Sequence, residues 1–173
     1  MAVIRRPAPS EYAPHYAQYI ERVPEGDLAA QLEAQIQDLE HLLADLPESS
    51  GAFRYAEGKW SVKELLGHLT DTERIMAYRL LRIARGDQTP LAGFDQDDYV
   101  RNGHADARPL RELAAEFTAV RRATLALVRS LDDPSWTRLG SAGGKPVSTA
   151  ALAHVMAGHV SHHLEILTAR YLQ

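Results

Sequence analysis

The chain has 173 residues, of which 45% are hydrophobic, so it can enclose one core and we predict a single domain over residues 1–173. The net charge of -4, from 19 Lys and Arg against 23 Asp and Glu, argues against a nucleic-acid partner, because phosphate backbones bind basic surfaces. Cysteine is absent, which excludes disulfides, thiolate metal ligands and a cysteine nucleophile.

The N-terminal segment predicts an arm that packs on the rest of the molecule. Residues 1–26 contain four prolines together with Tyr12, Tyr16 and Tyr19, and a disordered tail seldom holds so many aromatic side chains. The first residues lack the apolar core of a signal peptide, and no apolar run in the chain approaches the roughly 20 residues that cross a bilayer. We therefore expect a cytoplasmic protein with no membrane partner.

Apolar residues at three- and four-residue steps predict two long helices in the first half of the chain. The first run starts at Asp27 and stops before Pro47. The second run follows Ser61 and Glu64, which have the spacing of a capping box, and it stops at Gly86.

Two further runs predict a third helix over 110–131 and a fourth over 148–167, which Ser148 caps. No stretch has a convincing strand pattern. Three connections are longer than the turns of an up-and-down bundle: 47–60, 87–108 and 132–147. We therefore predict an all-α four-helix bundle with long connections and an N-terminal arm. Connections of this length are often functional or packed over a site.

Two histidines lie near the centre of the apolar stripe of the predicted fourth helix. His159 and His163 are one turn apart, so both imidazoles point into the bundle, where they can converge on one metal ion. His68, on the flank of the second helix's stripe, is the best third ligand. His162 lies at the edge of the fourth stripe, positioned to orient a ligand, and His154 lies outside it, on the predicted surface. The alternative, in which these are core histidines hydrogen-bonded to neighbouring groups, stays open.

Four segments resemble one known family, the DinB-like (DinB/YfiT-like) metal-dependent enzymes. They are 19–27, YIERVPEGD; 59–69, KWSVKELLGHL; 90–99, PLAGFDQDDY; and 158–164, GHVSHHL. The resemblance implies a four-helix bundle, often a homodimer, that binds zinc or nickel through one histidine of the second helix and an HxxxH pair of the fourth. By position these ligands are His68, His159 and His163, which the helical stripes also favour.

The resemblance also implies a class of chemistry. Several relatives are transferases or isomerases that use low-molecular-weight thiols, and the family was first described among damage-inducible proteins. We predict a divalent metal ion that activates water or a thiol, for hydrolysis or thiol transfer on a small-molecule substrate. Because the chain has no cysteine, thiol transfer requires an external thiol such as bacillithiol, mycothiol or glutathione. The alternative is a non-catalytic metal- or ligand-binding bundle in a stress response.

Glu73 is the candidate catalytic carboxylate, because it lies on the apolar stripe of the second helix, little more than one turn beyond His68. A buried ion pair with Arg170 of the fourth helix is the alternative. Trp60 and Trp136 flank helices, where they either wall a substrate cleft or simply pack. The connection after the second helix adds four side chains that either line the pocket mouth or are solvated: Asp95, Asp97, Asp98 and Tyr99.

Overall fold

The computed structural model of the protein describes residues 4–172, which form a four-helix bundle with shorter elements packed around it. The α-helices in chain order are α1 (Ala17–Ile20), α2 (Leu28–Ala44), α3 (Val62–Ala84), α4 (Gln96–Gly103), α5 (Leu110–Arg129), α6 (Asp133–Trp136) and α7 (Thr149–Ile166). The long helices α2, α3, α5 and α7 confirm the four that the apolar periodicity predicts. Within this described part, no helix is both long enough and apolar enough to cross a membrane.

Side-chain caps set where the long helices begin. The Asp27 carboxylate caps the first amides of α2. Ser61 and Glu64 form the predicted capping box of α3, in which each side chain accepts a hydrogen bond from the other residue's amide, at 3.0 and 2.9 Å. The Ser148 hydroxyl accepts a 3.0 Å hydrogen bond from the Ala151 amide at the start of α7. Each cap satisfies an amide that has no carbonyl partner in the first helical turn.

The four long helices are not arranged around the bundle in chain order. Helix α3 packs against α5 and α7, and α2 packs against the same two helices. Helices α2 and α3 therefore lie at opposite corners of the bundle, and α5 and α7 occupy the other two corners. A chain that runs from one corner to the opposite one must cross the end of the bundle, which explains why the connections 47–60 and 132–147 exceed tight turns.

Two clusters of buried apolar side chains fill the bundle. One contains Leu32, Leu80 and Met156, and the other contains Leu66 and Phe117. Burial of this apolar surface is the main force that holds the four helices together. Polar and charged side chains buried beside these clusters are costly unless something pairs with them, so they mark candidate sites.

The N-terminal arm packs on the bundle, as its tyrosines and prolines predict; residues 1–3 of the predicted arm lie outside the described residues. The Arg6 guanidinium donates hydrogen bonds to carbonyl oxygens of α1 and of the turn that follows it. Helix α1 lies against α7, where Gly158 leaves room for the Tyr19 carbonyl. A Cβ at Gly158 would stand 1.9 Å from that oxygen, so this close approach requires glycine.

The expectation that the chain contains no strand is wrong for the connection 132–147. Strand β1 (Leu139–Ala142) pairs antiparallel with β2 (Lys145–Ser148), and the turn between them is formed by Gly143 and Gly144, with φ of 58° and 73°. A two-residue hairpin turn of this kind needs positive φ at both positions, so the adjacent glycines were the available sign. Strands of four residues are too short for an alternating pattern to stand out.

Candidate metal centre

Three histidines from two helices meet inside the bundle. His68 projects from α3, and His159 and His163 project from successive turns of α7. One ring nitrogen of each lies within 4.8 Å of those of the other two, and the Nε2 atoms of His68 and His159 are 2.9 Å apart. All three side chains are buried. The structure therefore brings together the three residues that the sequence predicts as metal ligands.

This set of donors fits a divalent metal ion. Nitrogens that lie about 2.0–2.1 Å from one ion stand roughly 3 Å apart, close to the separation of the His68 and His159 Nε2 atoms. The Nδ1 atom of His163 is buried and has no hydrogen-bond partner among the described residues. A buried polar atom without a partner is unfavourable. A bound metal ion would supply a partner to ring nitrogens of the cluster that contains His163. Neutral imidazoles suit zinc and nickel alike.

Burial keeps the three imidazoles in the form that binds metal. It lowers the pKa of His68 to about 4. Burial, together with the nearby His68 and His162, lowers the pKa of His163 to about 3. The pKa of His159 also falls well below its usual value, mainly through burial and further through the neighbouring histidines. All three rings are therefore neutral at pH 7, with a lone pair free for coordination.

Trp60 packs directly on the histidine cluster. The centroid of its ring lies 4.6 Å from that of His68. The Tyr171 hydroxyl donates a 2.7 Å hydrogen bond to the Trp60 carbonyl, which fixes the segment that carries the tryptophan. Trp136, in contrast, belongs to the apolar core. Both tryptophans therefore pack, and Trp60 does so against a candidate ligand.

A cavity of about 320 Å³ adjoins the histidine cluster. His68 and His159 form part of its wall, and it opens to solvent, because lining residues such as Lys145 are exposed. The rest of the wall comes from the N-terminal arm, the connection after α3 and the β-hairpin. Lining residues from these three segments include Tyr16, Tyr19, Phe94 and Gly143. The long connections thus pack over the site, as their length predicts.

Glu73 lies in a buried ion pair rather than on the cavity wall. It is 2% exposed, and Arg121 of α5, which is 0% exposed, donates a 2.9 Å hydrogen bond to its Oε2. Arg121 also donates a 2.8 Å hydrogen bond to the Gln35 side chain. The expected pairing with Arg170 is therefore wrong. The sequence feature that could have indicated Arg121 as the partner of Glu73 is its position on the apolar face of α5, one turn after Phe117. A catalytic role for Glu73 stays a prediction.

The two remaining histidines of α7 differ in whether the structure agrees with their predicted positions. The prediction that His154 lies on the surface is wrong, since it is 4% exposed and its Nδ1 lies 2.9 Å from the carbonyl oxygen of Ala150. The periodicity assumed that one face of the helix meets solvent, but the N-terminal segment packs on α7 and brings Arg5, Arg6 and Glu25 close to His154. His162 lies at the edge of the site, partly buried, with its ring centroid 5.1 Å from that of His163.

The connection 87–108 contains helix α4, which the Asp95 carboxylate caps by accepting hydrogen bonds from the Asp97 and Asp98 amides at 2.9 and 3.0 Å. The three aspartates are exposed and do not line the cavity, in agreement with the solvated alternative. Tyr99 packs against Phe94, which does line it, at a ring-centroid distance of 5.1 Å.

Comparison with known proteins places the chain in a family. A model of the DinB superfamily matches residues 31–167, which is most of the chain. The chain belongs to the DinB superfamily. This agrees with the resemblance of the three sequence segments within that range, 59–69, 90–99 and 158–164, whereas segment 19–27 precedes it. A comparison with curated proteins found no significant match.

Solved structures share the DinB-like fold at low sequence identity. YfiT from Bacillus subtilis, described as a probable metal-dependent hydrolase with an unusual four-helix bundle topology, is 17% identical, with a TM-score of 0.74 over 95% of this chain and 90% of YfiT. A mycothiol-dependent maleylpyruvate isomerase is 12% identical, with a TM-score of 0.68 over 84% of this chain and 61% of the isomerase. A Streptococcus pneumoniae protein is 14% identical, with a TM-score of 0.65 over 90% and 98%. These likenesses confirm the bundle fold.

Proposed function

We propose that this DinB-superfamily protein is an enzyme that uses a divalent metal ion, zinc or nickel, held by His68, His159 and His163. The observation that carries the proposal is that three neutral, buried imidazoles converge where a solvent-accessible cavity begins. Two structural relatives support it, since one is described as a probable metal-dependent hydrolase and another as a mycothiol-dependent isomerase. A set of three protein ligands leaves coordination positions open for a reactant, which a closed structural site would not.

The histidines, Trp60 and the surrounding segments have distinct roles in this proposal. The three histidines bind the ion, and Trp60 holds the His68 ring in its orientation. When bound, the ion would act as a Lewis acid that lowers the pKa of a coordinated water or thiol. The arm, the connection after α3 and the hairpin surround the reactants and limit the access of water.

Transfer of a low-molecular-weight thiol is the reaction that the cavity favours. No Asp or Glu lines the described cavity, so it offers no carboxylate to accept a proton from water. A thiol has a pKa of about 8.5, whereas water has one of about 15.7, so the thiol needs far less assistance to lose its proton near pH 7. Hydrolysis is the second candidate, supported by the description of YfiT.

Metal content tests the premise that both reactions share. Protein purified without an affinity tag and loaded with zinc or nickel should hold about one equivalent, and His159→Ala should hold almost none. His154→Ala is the matched control, because it removes a buried histidine from the same helix but outside the cluster. Less than about a tenth of an equivalent in the wild-type protein would contradict the proposal.

Turnover separates the enzyme from a non-catalytic metal-binding bundle. The loaded protein is screened with electrophiles in the presence of bacillithiol, mycothiol or glutathione, and with esters and amides without a thiol. Activity that His159→Ala abolishes supports the enzyme, and inertness toward every pair supports the non-catalytic alternative. We also propose a homodimer, on the DinB-like resemblance alone, and sedimentation of the wild-type protein tests it.

A further inference from the structure

The bundle buries two arginines, and only one of them has a carboxylate partner. Arg121 is paired with Glu73, as described above. Arg79 of α3 is 4% exposed and forms no ion pair within residues 4–172. A guanidinium is always charged near neutral pH, and burying such a charge without a counter-ion is costly. Arg79 therefore needs an explanation that packing alone does not supply.

The partners that Arg79 does have are all neutral. Its Nη2 donates a 2.6 Å hydrogen bond to the Ala92 carbonyl, its Nη1 lies 3.8 Å from the Met76 sulfur, and the guanidinium also interacts with the Tyr16 hydroxyl. Its Cζ atom lies 5.6 Å from the centroid of the Phe94 ring. These contacts orient the guanidinium without neutralising it, and they leave N–H donors available, since the group carries five.

Arg79 lines the same cavity as His68 and His159. Two further basic residues, His15 and Lys145, line that cavity, and its described lining contains no Asp or Glu. The whole chain, in contrast, has a net charge of -4. The cavity therefore concentrates positive charge in an otherwise acidic protein, which attracts an anionic ligand.

Helix geometry relates Arg79 to the histidine cluster. Arg79 follows His68 by eleven residues, so the two lie within about 20° on the same face of α3, separated by a rise of about 16 Å. Helical side chains lean toward the N-terminus, which brings the guanidinium back toward the cluster. Thr72 and Met76 line the stretch of wall between them. A ligand that touches both ends must be elongated.

We propose that Arg79 binds the carboxylate of an elongated small molecule whose opposite end reaches the centre formed by His68, His159 and His163. The planar guanidinium forms paired hydrogen bonds that match the two oxygens of a carboxylate. The assignment of the opposite end rests on the proposed function, whereas the carboxylate site itself does not. The carboxylate belongs either to the thiol or to the molecule that the thiol attacks, and the two sources are separable.

Binding to the metal-free protein tests the carboxylate site. Octanoate and octan-1-ol, which have the same length, are titrated into ¹⁵N-labelled protein while the Arg79 Nε–Hε resonance and the Gly93 and Phe94 amides are followed. Octanoate should shift these resonances to saturation and the alcohol should not. Arg79→Gln should weaken octanoate binding about tenfold to a hundredfold, the worth of a charge-assisted hydrogen bond.

Arg85→Gln is the matched control, because it removes the same charge from an exposed position just beyond the end of α3. Octanoate affinity should be unchanged in this variant. The inference is overturned if octanoate leaves the wild-type resonances unmoved, or if it binds Arg79→Gln as tightly as the wild-type protein. Circular dichroism of each variant verifies that the helices are intact.

Cobalt-loaded protein identifies the source of the carboxylate. The sulfur-to-cobalt charge-transfer band is titrated with 8-mercaptooctanoate and with 8-mercaptooctan-1-ol. If the thiol carries the carboxylate, the acid binds more tightly than the alcohol, and Arg79→Gln removes the difference. If the other reactant carries it, both thiols bind equally while octanoate still shifts Arg79. A protein that binds no cobalt contradicts the proposed metal centre, and one that gives no band with either thiol contradicts the thiol-transfer reaction. In both cases the octanoate titration still decides the role of Arg79.

Discussion

The two buried arginines are expected to respond very differently to the same substitution. Arg121→Met leaves the Glu73 carboxylate buried without a partner and should lower the free energy of unfolding by about 3–5 kcal/mol. Arg79→Met removes a charge that has no counter-ion. We expect Arg79→Met either to raise the free energy of unfolding or to lower it by no more than about 1 kcal/mol, the contribution of the hydrogen bond to Ala92. Chemical denaturation of the metal-free variants measures both changes.

An equal loss of stability in the two variants would show that Arg79 is needed for folding and would remove the stability argument for a ligand site. Replacing both partners of the pair, Glu73→Leu with Arg121→Met, provides the control. Stability should recover, because an apolar pair fills the space without an isolated charge. The same double variant tests the catalytic role predicted for Glu73. Activity that persists in this stable variant would exclude that role, and activity lost while metal stays bound would support it.

The packing of the N-terminal arm on α7 depends on Gly158. Alanine at this position would place its Cβ 1.9 Å from the Tyr19 carbonyl oxygen, a clash between backbones that no side-chain rotation relieves. We expect Gly158→Ala to lower the free energy of unfolding by about 1–3 kcal/mol, although alanine favours a helix by roughly 1 kcal/mol. The displaced arm should become sensitive to limited proteolysis, and Tyr16 should leave the cavity wall.

Gly103→Ala is the matched control, since Gly103 ends α4 and an added Cβ there meets nothing within 4 Å. It should leave both the free energy of unfolding and the proteolysis pattern essentially unchanged. If Gly158→Ala behaves in the same way, the close approach of α1 to α7 does not support the arm.

Elements set by local chemistry were predictable from the sequence, and those set by distant contacts were not. Caps such as Ser61 and Ser148 and the apolar steps that follow them are local, so the four helices were found. The burial of His154 depends on an arm more than a hundred residues earlier in the chain, and helical periodicity carries no information about it. The ion pair of Glu73 joins α3 to α5, and its partner is chosen by the order of helices around the bundle.

The order of the helices around the bundle also assembles the candidate site. Helices α3 and α7 are neighbours in the bundle although α5 and two long connections, 87–108 and 132–147, separate them in the chain, so His68 meets His159 and His163. The N-terminal arm, the connection after α3 and the β-hairpin then close over the histidines and form the cavity. The apolar stripes of two helices indicated the ligands from the sequence. The cavity, and the position of Arg79 in its wall, depend on how the helices and connections pack and could not be predicted from the sequence.

Packing three neutral imidazoles together makes the stability of the metal-free protein depend on pH. In the unfolded chain a histidine binds a proton below about pH 6.5, whereas in the folded protein His68 does so only below about pH 4. The unfolded state therefore binds more protons between these values, and the free energy of unfolding falls as the pH falls through this window. For His68 the full effect is on the order of 3 kcal/mol, present above pH 6.5 and lost near pH 4.

Denaturation of the chelator-treated protein from pH 7 to pH 4 measures this dependence, and His68→Gln should show a shallower fall. His41→Gln, which removes an exposed histidine from α2, is the matched control and should follow the wild-type curve. Glu11, whose ion pair with Arg5 lowers its pKa to about 2, loses its contribution at lower pH and does so equally in all three proteins. Parallel curves for the wild-type protein and His68→Gln would show that the imidazole is hydrated in the folded state, and the cluster would then not be the dry, neutral centre on which metal binding depends.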